Sequence, residues 1–248
     1  MNTPTRNARL FSSTHRSLAS AFALMLMPVV VLADDCAYQE TLDFTLPADA
    51  VERFDITAGA GTLEVLGDSV DGQIHVQALV CTSRKSGLVG MGVEHALRGG
   101  TQHIETRIPE NQTTVWTSHY ARIDLTVRMP AGLPVQVKDG SGELSVSGTG
   151  ALVLRDGSGS AAIDTVAGNV EVRDGSGDLS IANITGNVDV SDGSGSLNIA
   201  EVDGNVAITD GSGSIDVRDV SREVTIHESG SGSVALQRVN TLTQLAVE

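Results

Sequence analysis

Large aromatic side chains are scarce in this sequence. Its 248 residues include one Trp, two Tyr and four Phe, which makes 3% aromatic residues. A core without bulky rings must be thin and filled by Val, Ile, Leu and Ala, as in a flattened β-solenoid. The shortage also leaves Trp116 and Tyr120 as the only pair of neighbouring rings on which a sugar could stack.

Basic residues are few as well. The chain has 16 Lys and Arg against 31 Asp and Glu, a net charge of −15. Three of the arginines lie in the first 33 residues, which contain no acid, so residues 34–248 carry 13 basic and 31 acidic residues and a charge of −18. Such a surface argues against nucleic acid and anionic membranes as partners and favours cations or basic partners.

The chain has only one long apolar run, and it lies at the start. Three arginines precede Leu18–Leu32, and the small residues before Asp34 suit cleavage there. We interpret residues 1–33 as a signal peptide and expect export to the periplasm or the cell surface. A lipoprotein is less favoured, because Asp35 rather than a small residue precedes Cys36, and an uncleaved anchor is a third alternative. No other run approaches the roughly 20 residues that a membrane-spanning helix needs.

Only two cysteines are present, Cys36 and Cys81. An even number in an oxidising compartment predicts one disulfide. Closing that loop would remove about 4 kcal/mol of unfolded-state entropy. The alternative is a pair of reduced, buried thiols.

The main pattern is a repeat. Asp-Gly-Ser-Gly occurs five times at steps of 17 or 18 residues, and a blurred sixth copy follows at Ser229–Gly232; the five copies begin at Asp139, Asp156, Asp174, Asp192 and Asp210. Each is followed by two short alternating apolar segments separated by a turn. A short fixed period of this kind predicts an all-β parallel solenoid with coils of about 18 residues, two strands to a coil.

The alternation also predicts the core. The inward positions of the first strand of each coil include Leu144, Ile163, Leu179, Leu197 and Ile215, and those of the second strand include Val135, Leu152, Val170, Val188, Val206 and Val224. Val166, Ile184, Val202 and Val220 recur at one corner and should plug it. The segment from Phe54 to Val65 aligns with the repeat as a degenerate copy. We therefore divide the exported chain into an irregular β portion, 34–130, and a regular solenoid, 131–248.

Residues 82–119 follow no period. Their glycines predict a long loop or a poorly paired hairpin, with one or two helical turns within Val89–Leu97. This region is the least acidic part of the exported chain, and loops on a rigid scaffold often bind ligands. We predict a binding site formed by Trp116, His119, Tyr120 and Arg122. The alternative is that Trp116 only caps the core.

The five aspartates should lie in one file, about 5 Å apart. One interpretation is turn chemistry, in which Asp accepts backbone hydrogen bonds and the glycines supply unusual φ angles. The other is a weak calcium ladder at Asp139, Asp156, Asp174, Asp192 and Asp210, because hard cations bind several oxygen ligands. Turn chemistry is favoured, since this repeat is twice as long as the calcium-binding nonapeptide. No other cofactor is expected.

Nothing in the sequence predicts catalysis. The histidines lack the spacing of metal ligands, the repeated serines have no plausible base, and the solenoid has few of the basic residues that enzymes acting on acidic polysaccharides use in their grooves. At the other end of the chain, the apolar segment Leu242–Val247 predicts either a weakly capped end or self-association through an open strand edge.

The repeats resemble those of a bacterial family of candidate adhesins, a domain of unknown function with glycine-rich β-solenoid repeats. The likeness covers Phe54 to the end and rests on the Asp-Gly-Ser-Gly-x-Leu-x-Val units and on the segments Ile56–Val65 and Ile123–Ala131. It implies a right-handed β-solenoid in the cell envelope with a role in adhesion or envelope stress, and it supplies no catalytic residues. The cysteine pair and residues 82–119 do not match the family pattern.

We therefore expect an exported, non-enzymatic β-solenoid that binds or scaffolds a protein or glycan of the envelope. A cation-binding structural protein is the alternative, and a polysaccharide-active enzyme is the least favoured.

Overall fold

The structure is a computed structural model that describes residues 36–109 and 120–244. The described chain is almost entirely β-strand, with a single 3-10 turn, η1, at Lys85–Leu88. The strands are β1 Tyr38–Pro47, β2 Arg53–Thr57, β3 Leu63–Ser69, β4 Gln73–Thr82, β5 Gly92–Arg98, β6 Thr101–Arg107, β7 Ala121–Pro130, β8 Val135–Asp139, β9 Leu144–Ser147, β10 Leu152–Asp156, β11 Ala161–Val166, β12 Val170–Asp174, β13 Leu179–Ile184, β14 Val188–Asp192, β15 Gly195–Val202, β16 Val206–Asp210, β17 Gly213–Ser229 and β18 Val234–Gln244.

The strands form two ladders that the chain visits alternately. The first ladder runs β1-β4-β7-β3-β9-β11-β13-β15 and ends on the first halves of β17 and β18. The second runs β5-β6-β2-β8-β10-β12-β14-β16 and ends on the second halves of β17 and β18. From β8 onward every pairing is parallel, as the solenoid prediction requires.

The core lies between the two ladders and confirms the predicted alternation. The inward residues of both strands in each coil are buried, and the corner residues Val166, Ile184, Val202 and Val220 are 1–3% exposed. Successive side chains of a strand point to opposite faces, so one apolar row per strand is enough to fill this thin core.

The degenerate early coil is also confirmed. Phe54 pairs with Val135 and Leu63 pairs with Leu144, so β2 and β3 stack directly beneath β8 and β9. Between them the Gly140 N–H donates to the carbonyl of Ala58. Ala58 therefore occupies the position that the first Asp of the repeat holds in the coils above.

Residues 82–119 correct one expectation. Their described part contains η1 and a regular antiparallel hairpin, β5–β6, with seven residue pairs from Gly92 and Arg107 to Arg98 and Thr101. The helical turns expected within Val89–Leu97 are wrong, because β5 runs through most of that segment. β6 then joins β2 in parallel and buries Ile104 in the core. Pairing with a distant strand, which leaves no local periodic signal, decides this structure.

Cys36 and Cys81 form the predicted disulfide, with their Cα atoms 5.5 Å apart. The bridge joins Cys36, two residues before β1, to Cys81, the last but one residue of β4, which is the antiparallel partner of β1. The predicted signal peptide, residues 1–33, lies outside the described residues. In the part of the chain that the structure describes, no helix is long and apolar enough to cross a membrane.

Candidate functional site

The binding site predicted from the sequence is only partly visible. Trp116 and His119 lie outside the described residues. The Tyr120 hydroxyl accepts a hydrogen bond from the Ala37 N–H at 3.2 Å. Arg122 lies on β7, where its Nε is 3.2 Å from Oδ2 of Asp124. Whether the four predicted residues form one site therefore stays a prediction.

The five repeat aspartates do lie in one file. In the second ladder Asp139 pairs with Asp156, Asp156 with Asp174, Asp174 with Asp192, and Asp192 with Asp210. The file stands on Ala58 and ends at Ser229, which pairs with Asp210. Residues paired in adjacent strands are separated by about 4.8 Å, so each carboxyl group lies next to the one above it.

These carboxyl groups are buried, which the sequence did not reveal. The five side chains are 1–7% exposed. Only Oδ1 of Asp192 accepts a hydrogen bond of good geometry, from the Ser194 N–H at 3.2 Å, and the other carboxyl oxygens of the file lack a partner in the structure. Backbone N–H groups of the same turns nevertheless interact with these carboxyl groups and oppose the effect of burial on their pKa values, as Gly140 does for Asp139 and Gly157 for Asp156, so the turn-chemistry interpretation stays a prediction.

Burial dominates the electrostatics of the file. Burial, followed by the charge of Asp156, raises the pKa of Asp139 from 3.8 to about 7. Burial, and then the charges of Asp156 and Asp192, raises the pKa of Asp174 to about 6. Burial also raises the pKa of Asp156, Asp192 and Asp210. Desolvation penalises the charged carboxylate, and each like-charged neighbour adds to that cost.

The calcium ladder gains no support from this geometry. Among the described residues no group of three or more His, Cys, Asp or Glu is arranged to hold a metal ion. The calcium hypothesis therefore stays a prediction.

An acidic groove crosses the outer face of the first ladder. Its volume is about 660 Å³, and its lining includes Thr41, Thr62, Glu64, Gln77, Asp124, Thr126, Glu143 and Ser145. These residues come from β1, β4, β7, β3, β9 and the turns beside β3 and β9. One row of paired residues crosses it, from Gln77 to Thr126, Glu64 and Ser145.

The groove is polar and negatively charged. Oδ1 of Asp124 accepts the Thr62 N–H at 3.0 Å, and its Oδ2 is held by Arg122. Thr126 donates its hydroxyl to Oε2 of Glu64 at 3.2 Å, while Glu143 is exposed. The groove thus offers three carboxylates, with hydroxyl and amide groups beside them. Such groups bind ammonium and guanidinium groups and the hydroxyls of sugars.

Sequence reasoning missed this groove. Its residues are the outward members of strands separated by up to about 100 positions in the chain. They are adjacent only because β7 pairs in parallel with β3 and β4 pairs antiparallel with β7. The one available signal was the polar alternation of β3 and β7.

Comparison with known proteins identifies the family. The model of the Toastrack DUF4097 family matches residues 71–248. The chain belongs to the Toastrack DUF4097 family. The resemblance in its repeats is thereby confirmed, and the match spans the regular solenoid together with β4–β7. No curated protein matches the chain.

Several solved structures resemble this Toastrack chain at low identity. A candidate adhesin from Bacteroides fragilis is 14% identical over 83% of this chain and 97% of its own, with a TM-score of 0.48. A candidate lipid binding protein from Parabacteroides distasonis is 12% identical over 85% and 98%, with a TM-score of 0.45. A candidate cell adhesion protein from Clostridium sporogenes is 13% identical over 81% and 100%, with a TM-score of 0.40. These likenesses are too distant to assign a function.

Proposed function

We propose that this Toastrack protein is an exported, non-enzymatic binding protein of the cell envelope, with an adhesin-like role, and that it uses the acidic groove to hold cationic groups of an envelope protein or glycan. The observation that carries the proposal is the cluster of Glu64, Asp124 and Glu143 on a rigid, multi-stranded sheet. A preorganised surface loses little entropy on binding, so a few charged contacts can give useful affinity.

Two further observations support the compartment and the absence of catalysis. The Cys36–Cys81 disulfide is typical of proteins that fold in an oxidising compartment, and it agrees with the basic and apolar start of the chain. The carboxyl groups whose pKa values are strongly raised are buried in the solenoid corner. A general acid must reach its substrate, and these groups are out of reach of a large ligand.

The test is calorimetric titration with two probes, a glucosamine oligosaccharide and a hexalysine peptide. The N-acetylated oligosaccharide, which lacks the positive charge, serves as the control ligand. We expect binding of at least one cationic probe and its loss at high salt, because exposed ion pairs are screened. Absence of binding by both probes would overturn the proposal.

The residues are tested with two matched double variants. Glu64→Gln/Asp124→Asn removes two of the three carboxylates of the groove. Glu171→Gln/Asp189→Asn removes the same two charges from adjacent positions on the outer face of the second ladder. The groove variant should bind at least about tenfold more weakly, a loss of about 1.4 kcal/mol. Equal weakening by both variants would show that net charge, rather than the groove, attracts the probe.

A further inference from the structure

Among the described residues, β18 forms one end of the solenoid. β18 pairs with β17 along its whole length, and no other described strand pairs with it. The Ile215 N–H donates to the carbonyl of Ser233, so alternate residues of β18 face β17 and the residues between them direct their N–H and C=O groups to the free edge. An edge of eleven residues is a template for another strand.

The side chains at this end are those that an additional layer would cover. Val234 pairs with Ile215, and Leu242 pairs with Val224. Ile215 and Val224 are at most 1% exposed, whereas Val234 is 37% and Leu242 is 45% exposed. Leu236 and Val239 are only partly buried against the core. The end therefore exposes the inward apolar row of a coil as well as its backbone edge.

The charge of residues 230–244 indicates which kind of partner can cover the β18 end of the solenoid. Residues 230–244 contain no Asp or Glu, although the chain has 31 of them. Arg238, the one charged residue there, is already paired with Asp219. Two copies of this acidic protein would repel each other over most of their surface, but here they can meet without opposing carboxylates.

The strand is also self-complementary. β18 turns the corner between the ladders at Arg238, whose φ is 52°. A twofold axis through this corner places the first half of β18 antiparallel to the second half of β18 in a second copy. Centred on Val239, it puts Leu236 of each copy opposite Leu242 of the other, and such cross-strand apolar pairs stabilise a sheet.

We propose that two copies of the protein pair end to end through antiparallel β18 strands, with the twofold axis near Val239. A twofold contact uses the same surface on both subunits, so it closes as a dimer. The solenoid ends opposite β18 point away from each other in this dimer. The inference does not depend on the ligand of the groove.

Mass measurement by light scattering tests the dimer. Val234→Lys/Leu242→Lys places two charges in the interface, and Ala235→Lys/Thr241→Lys places the same charges on the same strand but on its outer faces. We expect the native chain and the second variant to dimerise, and the first variant to dissociate at least about tenfold more readily. A native chain that stays monomeric across the micromolar range overturns the proposal, and so does an unaffected first variant.

A cysteine variant gives a second readout if the charged variant fails to fold. In Val239→Cys the two new thiols face each other across the axis, so mild oxidation should produce a covalent dimer. Ala235→Cys lies opposite Thr243 of the other copy and should not cross-link. Equal cross-linking of both variants would contradict the proposed register.

Discussion

Asp156 lies directly above Asp139 in the parallel ladder of β8 and β10, and both carboxyl groups are at least nine-tenths buried. Three more aspartates continue the file, and no basic residue contributes to the raised pKa values of any of the five. The solenoid therefore contains a line of acids in which the only charged groups that raise the pKa values are the other aspartates of the file. Repulsion between two adjacent carboxylates favours the protonated form of neighbouring aspartates.

The first prediction is that raising the pH from about 4 to about 7 destabilises the solenoid. The folded-state pKa values of Asp139 and Asp174 are raised from 3.8 to about 7 and about 6, so between these values the folded chain binds more protons than the unfolded chain. The contribution of these aspartates to the free energy of unfolding should therefore be greatest below about pH 4. It should fall as the pH rises to about 7. Urea denaturation from pH 4 to pH 8 measures it.

The matched variant is Asp174→Asn, which keeps the shape of the side chain and removes the charge. We expect it to raise the free energy of unfolding by about 1–3 kcal/mol at pH 8 and to change it little at pH 4. Asp189→Asn, which removes an exposed carboxylate three strand positions before Asp192, is the control variant. If the difference in free energy of unfolding between Asp174→Asn and the native chain did not change with pH, the aspartate file would not cause the loss of stability.

The second prediction concerns Gly177, in the third copy of the repeat. Its φ is 138°, and a Cβ placed there would lie 1.6 Å from the carbonyl oxygen of Gly159 in the coil below. Gly177→Ala must therefore separate two stacked coils, and we expect it to lower the free energy of unfolding by at least about 3 kcal/mol. Gly132→Ala is the control: its φ is also positive, at 76°, but nothing lies within 4 Å of the added Cβ. It should cost only about 1–2 kcal/mol.

The third prediction concerns the disulfide. Cys36→Ala/Cys81→Ala should lower the free energy of unfolding by about 2–4 kcal/mol, because the bridge closes a loop with a sequence separation of 45 residues. Denaturation with and without a reducing agent measures the effect. The reductant should destabilise the native chain and leave the variant unchanged; a native chain insensitive to reduction would contradict the estimate.

The fourth prediction concerns the corner of the solenoid opposite the Asp-Gly-Ser-Gly turns. Thr165, Asn183, Glu201, Asp219 and Arg238 all have positive φ, and Thr165, at 54°, is the β-branched member of the set. Left-handed backbone is unfavourable for a β-branched residue and is tolerated by Asn. Thr165→Asn should therefore stabilise the fold by about 1 kcal/mol. Thr225→Asn, within the strand β17, should do the opposite, because Thr favours extended backbone. Thermal unfolding distinguishes the signs.

The sequence by itself determined the coil. A period of 18 residues, two alternating apolar segments and a glycine turn leave one way to bury Val, Leu and Ile, so the inward rows, the corner plug at Val166 and the alignment of Phe54 with the repeat were all predictable. Two cysteines in a chain predicted to be exported were enough to predict their bridge. These features depend on period and composition, which a single chain displays.

Only the tertiary structure decided what surrounds the coils. The hairpin β5–β6 and the insertion of β4 and β7 beside β3 depend on pairings between distant strands, and those pairings bring Glu64, Asp124 and Glu143 into one groove. The burial of the aspartates was decided in the same way. A sequence shows that Asp begins each turn, but whether its carboxyl group faces water or the stacked coil depends on the direction that the backbone gives it.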